Sequence, residues 1–154
     1  MIRADSHASH DGTETVELRI TARPENVALA RLALNGVAVA AGAPPDVVSD
    51  LKLAVSEVCT NAVQHAYKKS QEVEQHRHVT LRFVVGERQL LVEVGDEGSG
   101  FDPSDSGGHE GGGAGDRGES SNLGMGLTIA RAVTDALEIE SGLGGSRVVF
   151  LKRF

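Results

Sequence analysis

At 154 residues with 40% hydrophobic side chains, the chain can fill one core and is too short for two domains. Its 22 acidic residues outnumber 15 basic ones for a net charge of −7, which disfavours nonspecific binding to nucleic acid or anionic membrane and points to a protein partner or a small ligand. With no apolar run near the roughly 20 residues that span a bilayer, no apolar core in the polar Met1 to Gly12 segment, and a single Cys59 that cannot close an intramolecular disulfide, the expected compartment is the cytoplasm.

Residues 1–13, rich in Ser, His and Asp, read as a flexible tail. From Glu14 to Thr21 the alternation Val16, Leu18, Ile20 predicts a half-buried strand. Pro24 then opens a helix whose apolar residues Val27, Leu29, Ala30, Leu32, Leu34 and Val37 keep helical spacing until Gly42. A second helix starts at Pro44-Pro45-Asp46 and carries the stripe Val47, Val48, Leu51, Ala54, Val55, Val58, Ala62 to about Tyr67. After a charged connection, Val79 to Val85 and Leu90 to Val94 form a hairpin around Gly86-Glu87-Arg88-Gln89.

The stretch from Asp102 to Ser121 has seven glycines and almost no apolar residue, so it is expected to be a mobile lid, or else a plain disordered linker. Leu127, Ile129, Ala130, Val133 and Leu137 define a third helix, and Leu137 to Glu140 with Arg147 to Leu151 make a closing hairpin turned by Gly142 to Gly145. Helices on one side and strands on the other predict an α+β two-layer sandwich: a mixed, mostly antiparallel sheet packed on one face by helices, forming a single domain over 14–154.

Glu57, Asn61 and His65 recur every four residues, one turn apart on a face beside the apolar stripe. An Asn oxygen is a neutral hard ligand suited to Mg²⁺, which takes further ligands from nucleotide phosphates, and a Glu one turn away can orient or deprotonate a nucleophile at the γ-phosphate. The plainer alternative makes these residues the solvated side of an amphipathic helix. Asp96 directly follows an apolar strand, where its carboxylate can accept from an exocyclic amine such as that of adenine while Gly98 and Gly100 let backbone approach the base. Asp-Glu-Gly-Ser-Gly as an ordinary turn is the competing reading. Gly124-Met125-Gly126, opening the third helix, would offer free N–H groups to phosphate.

Glu57 to Ala66, Asp96 to Gly100 and Gly124 to Leu127 resemble, in order and spacing, the N, G1 and G2 boxes of the GHKL ATPases, which share the Bergerat fold. Within that superfamily, Leu53 to Ala62 and Gly124 to Ile129 are most similar to the serine kinases that act as anti-sigma factors, the SpoIIAB and RsbW type. The resemblance implies ATP and Mg²⁺ as cofactors and phosphorylation of a serine on a STAS-domain antagonist. It also implies sequestration of a sigma factor in partner switching, and a homodimer. By the same matching Glu57 is the catalytic base and Asn61 the Mg²⁺ ligand, and Asp96 contacts adenine. His65, Gly98, Gly100, Gly124, Met125, Gly126, Leu127 and Thr128 surround the nucleotide, and Arg31 faces protein partners. One departure stands out: related kinases often carry an arginine just before the Gly-x-Gly turn, and here Ser120-Ser121-Asn122-Leu123 fills those places, with Arg117 nearby.

That departure supports a second reading, a nucleotide-binding regulatory module of the same fold with little or no kinase activity. A detached histidine-kinase catalytic domain is a third, disfavoured because no helix with a phosphoacceptor histidine precedes the first strand.

Overall fold

The computed structural model describes residues 13–65, 76–98 and 120–154. The expectations placed on the 1–12 tail, on Gly100 and on the lid up to 119 fall outside the described residues.

Strand β1 (Glu14–Thr21) is followed by a 3-10 turn (Pro24–Asn26), helix α1 (Val27–Ala40) and helix α2 (Pro45–His65). Strands β2 (His78–Gly86) and β3 (Gln89–Asp96), helix α3 (Ser120–Val133), and strands β4 (Ala136–Gly142) and β5 (Gly145–Arg153) complete the order. The first helix is therefore shorter than its apolar pattern suggested. Pro24 sets a 3-10 turn, and Asn26 Nδ2 donates to the Thr21 carbonyl at 2.9 Å, pinning the corner before α1 begins. Leu137, shared by two predicted elements, lies in β4.

The sheet runs β1-β2-β3-β5-β4, and each of its four pairings among the described residues is antiparallel, in keeping with the mostly antiparallel sheet expected. Two tight hairpins account for the β2–β3 and β4–β5 pairs, because a short turn can only reverse the chain. Arg88, in the first hairpin, takes a positive φ of 54°.

Alternate residues of the central strands point to the helix layer: Leu81 and Phe83 from β2, Leu90 and Val92 from β3, and Phe150 from β5 are fully buried. They meet Ala30 and Leu34 of α1 and Leu51, Ala54 and Val55 of α2 in one apolar cluster. Each large side chain withdrawn from water contributes about 1.5–3 kcal/mol, so this layer supplies the main drive to fold. Lys152 Nζ ties the layers at one end, donating to Asp50 Oδ2 at 2.9 Å and to the Val133 carbonyl at 2.8 Å. Across the open face, Arg147 grips Glu93 with two bonds of 2.8 and 3.0 Å and reaches Glu140 at 3.3 Å. Among the described residues no helix is long and apolar enough to cross a membrane. Cys59 is fully buried, and burial pushes its thiol up to about 12.

Candidate functional site

Helix α2 is the middle helix and buries Val58, Cys59 and Asn61 together near its C-terminal end. The 3.6-residue period that turns Val55 and Val58 into the core brings Glu57 and Asn61 to the flank of that stripe, one turn apart. Glu57 is half-buried and Asn61 is only 8% exposed. The Asn61 Nδ2 atom is buried with no hydrogen-bond partner in the structure. An orphaned amide of this kind costs about 1–3 kcal/mol, so a folding requirement alone would not place it there.

Gly126 of α3 lies against the same flank. A Cβ at this position would stand 2.6 Å from Glu57 Oε2 and 3.7 Å from each terminal atom of the Asn61 amide. Glycine is thus what lets the α3 backbone approach the carboxylate and the amide.

The other wall comes from the sheet. Asp96 is the last residue of β3 and pairs in register with Ser146 of β5. Its Oδ1 accepts from the Gly98 amide at 2.9 Å and from the Ser146 amide at 3.3 Å. Burial pushes the Asp96 carboxyl above its ordinary value, against the Gly98 and Ser146 hydrogen bonds that pull it down. Both amide donors share one oxygen, which leaves acceptor capacity on the carboxylate for an exocyclic amine. Gly145 holds φ at +124°, and a Cβ there would overlap the Asp96 carbonyl oxygen, so the strand-end backbone has no room for a side chain.

Between these walls lies a cavity lined by Val58, Asn61, Ala62, Val94, Asp96, Leu127, Ser146 and Val148. Its lining is mostly apolar with Asn61, Asp96 and Ser146 among it, the mix that suits a flat heteroaromatic ring, but its volume is about 10 Å³, room for one water, so a ring enters only if the walls part. Asn61 and Ser146 are the buried polar side chains among the described residues, and both line it.

The structure therefore joins Asn61, Asp96 and Leu127 in one cavity, with Glu57 and Gly126 in contact beside it. Gly98 is buried next to Asp96. His65, the last residue of α2, is half-buried and does not line the cavity, and Met125 (63%) and Thr128 are exposed. Arg31 lies elsewhere, exposed in a groove with Pro24, Val27, Thr60 and Gln64.

One expectation is corrected. Gly124, Met125 and Gly126 do not open α3, which begins at Ser120. The amide of Gly124 then lies beyond the four unpaired N–H groups of the first turn, and the glycines serve close approach to α2 instead. Sequence reasoning also missed Val58, Val94, Ser146 and Val148 as cavity walls and Gly145 as its spacer. The signal for Ser146 is the β3–β5 register, a pairing of strands distant in sequence.

A family profile described as the histidine kinase-like ATPase domain matches residues 20–152. Proteins named serine-protein kinase RsbW are similar over most of the chain. The one from Bacillus licheniformis is 38% identical over 142 residues, covering 90% of this chain and 86% of its own. The one from Staphylococcus epidermidis is 34% identical over 146 residues, covering 90% and 87%. The chain belongs to the RsbW family of serine-protein kinases. That membership makes it an enzyme, a protein serine/threonine kinase on a histidine kinase-like ATPase fold.

A shorter stretch of 92 residues, 60% of this chain and 55% of the relative, is 48% identical to the Bacillus subtilis protein of that name. Among solved structures, the RsbU and RsbW domains of a Mycobacterium tuberculosis protein superpose with a TM-score of 0.63 at 21% identity, covering 91% of this chain and 32% of that one. The histidine kinase domain of a blue-light activated kinase from Erythrobacter litoralis superposes with a TM-score of 0.55 at 22% identity, covering 84% and 60%. At these identities the superpositions bear on the fold alone.

Proposed function

We propose that this kinase binds Mg-ATP in the cavity between α2, α3 and the β3–β5 strand pair, and phosphorylates a serine on a STAS-domain antagonist. The observation that carries the reading is the packing of Gly126 against Glu57 and Asn61 while Asp96 closes the far side of the adjoining cavity. Asp96 would accept from the adenine amine, with Val58, Val94, Leu127 and Val148 against the ring faces. The unpartnered Asn61 amide, which can present either end by a half-turn, fits a hard cation shared with phosphate. Bound there, Mg²⁺ would neutralise charge on the phosphates during transfer.

Glu57 would take the proton of the acceptor serine. The serine oxygen bonds to the γ-phosphorus, the bond from that phosphorus to the β–γ bridging oxygen breaks, and ADP leaves with the electron pair. In the same reading the protein is cytoplasmic and a homodimer, and it sequesters a sigma factor when the antagonist is phosphorylated. Arg31, exposed on the α1 side, faces protein partners.

Incubation with Mg-ATP and a STAS-domain partner, followed by mass spectrometry, tests the transfer. Phosphoserine that forms with the native chain and not with Glu57→Gln supports it. The absence of an arginine among Ser120 to Leu123 favours a second reading, a regulatory module that holds nucleotide without rapid transfer. Nucleotide binding without phosphoserine would select that one.

A further inference from the structure

An acceptor serine has to reach the Glu57 carboxylate from solvent, and two of the exposed large apolar side chains among the described residues stand beside that approach. Leu53 precedes Glu57 by one turn of α2 and is 42% exposed. Helical residues four apart lie one above the other, and a long side chain leans over the turn before its own, so Glu57 stands next to Leu53. The other side of the approach is α3, whose Gly126 backbone comes so close that a Cβ would lie 2.6 Å from Glu57 Oε2. Met125, its chain neighbour, is 63% exposed.

The helix period explains why Met125 faces out. Consecutive helical residues are turned by about 100°, so with Gly126 against α2 and Leu127 in the cavity wall, Met125 is left to the surface. Neither Met125 nor Leu53 lines the nucleotide cavity. Ile129, one turn after Met125 and half-buried, continues the apolar strip along α3. A single exposed leucine is ordinary on a protein surface. A leucine and a methionine on either side of one catalytic carboxylate are what a docking site presents.

We propose that Leu53 and Met125 form the acceptor-recognition rim of the kinase, receiving apolar side chains that neighbour the phosphorylated serine. The inference rests on the kinase reading above, in which Glu57 meets that serine, and adds the chemistry of the segment that carries it. Geometry names the occupant. With the serine oxygen in line with the γ-phosphorus and its proton toward Glu57, the acceptor segment passes over the carboxylate, and the residues before and after the serine come down on the rim. Charge narrows the choice. Acidic neighbours would face the Glu57 carboxylate and the triphosphate on a chain already at −7, so large apolar residues are the ones accepted. Methionine, unbranched and flexible, can mould itself to such a surface.

Rates of phosphoserine formation at saturating Mg-ATP, measured against the concentration of a STAS-domain partner, test the rim, with ATP affinity from titration calorimetry and thermal melts to confirm folding. Leu53→Ser and Met125→Ser should each raise the acceptor KM about tenfold, the effect of losing one large side chain from an interface, while kcat and ATP affinity stay within about twofold. Met125→Leu, which keeps the apolar bulk, should hold the native KM. Aspartate in place of the apolar neighbours of the acceptor serine should raise KM with the native kinase and add little with the Leu53→Ser/Met125→Ser double variant, a coupling that a merely structural role would not produce. An unchanged KM in both serine variants would overturn the rim and leave the kinase reading standing. A loss of ATP affinity with the acceptor KM unchanged would also overturn it, by returning Met125 to the nucleotide. A native chain that forms no phosphoserine while binding ATP would overturn the kinase reading and the rim with it.

Discussion

Gly126→Ala separates the catalytic reading of the site from a purely structural one. The new Cβ would sit 2.6 Å from Glu57 Oε2, well inside contact distance, while the Asn61 amide at 3.7 Å is left in ordinary contact. The obstructed atom is the far end of a flexible side chain, so Glu57 gives way and not the α3 backbone. Driving Glu57 off its rotamer costs about 0.5–1.5 kcal/mol. Alanine in place of glycine within a helix recovers about 1 kcal/mol. The two nearly cancel, and the melting temperature should move by less than about 4 °C. Phosphate transfer should fall by roughly 10²–10⁴, the contribution of a positioned general base, because the carboxylate is no longer where the serine meets the γ-phosphate. The assay pairs a thermal melt with phosphoserine yield from Mg-ATP and a STAS-domain partner. Native transfer rates in this variant would refute the argument that Glu57 acts from its observed position. A stability loss above about 3 kcal/mol would show instead that Glu57 is wedged and structural.

Asp96→Asn removes the charged acceptor and should weaken ATP binding by about 1.5–3 kcal/mol, roughly ten- to 150-fold, as read by titration calorimetry. The same change should alter the pH profile of the nucleotide-free fold. Because burial raises the Asp96 pKa above 3.8, the native state holds its proton longer than the unfolded one, and stability declines as pH rises through that window. Urea melts of the asparagine variant should show a smaller decline. Asn61→Ala should make nucleotide binding indifferent to Mg²⁺ in a titration with and without chelator, and full retention of the Mg²⁺ effect would remove Asn61 from the metal site. Gly145→Ala places a Cβ on the Asp96 carbonyl at a φ that side chains avoid, so it should cost about 1–3 kcal/mol in denaturant unfolding, with no flexible group to absorb the overlap. Cys59, buried with its thiol at about 12, should react with iodoacetamide at pH 8 only at the rate of unfolding.

Local patterns carried the fold well. The alternation of β2 and β3 gives their inward residues directly, since Val79, Leu81 and Phe83 and then Leu90, Val92 and Val94 are the buried ones. The apolar period of α2 likewise set Glu57 and Asn61 on one flank, and Asp96 could be placed at a strand end because Leu90 to Val94 precede it. What sequence did not show depends on pairing across distance. Ser146 faces Asp96 only because β5 lies beside β3, a neighbour 50 residues away, and a Gly-Gly-Ser run by itself reads as a turn. The start of α3 was misplaced for a different reason. A Gly-x-Gly run signals a helix boundary by propensity, and here that signal was overridden by a packing need, room for Glu57 beside α3.

The residues around the cavity carry features that folding alone does not favour. Away from it, Arg147 is paired with Glu93 and Lys152 with Asp50. At the cavity the Asn61 amide nitrogen is buried without a partner, and Asp96 is held where burial opposes its charge. Gly126 occupies a helix position that alanine would fill more favourably were Glu57 not against it. Folding alone gives no reason to gather an unpaired amide, a buried carboxylate and a mid-helix glycine around one space. Their placement around a single space is intelligible if a ligand supplies the missing hydrogen bonds and charge, for then each apparent defect becomes binding energy. The nucleotide should accordingly raise the stability of the whole domain in proportion to its occupancy, since it satisfies groups that only the native state brings together.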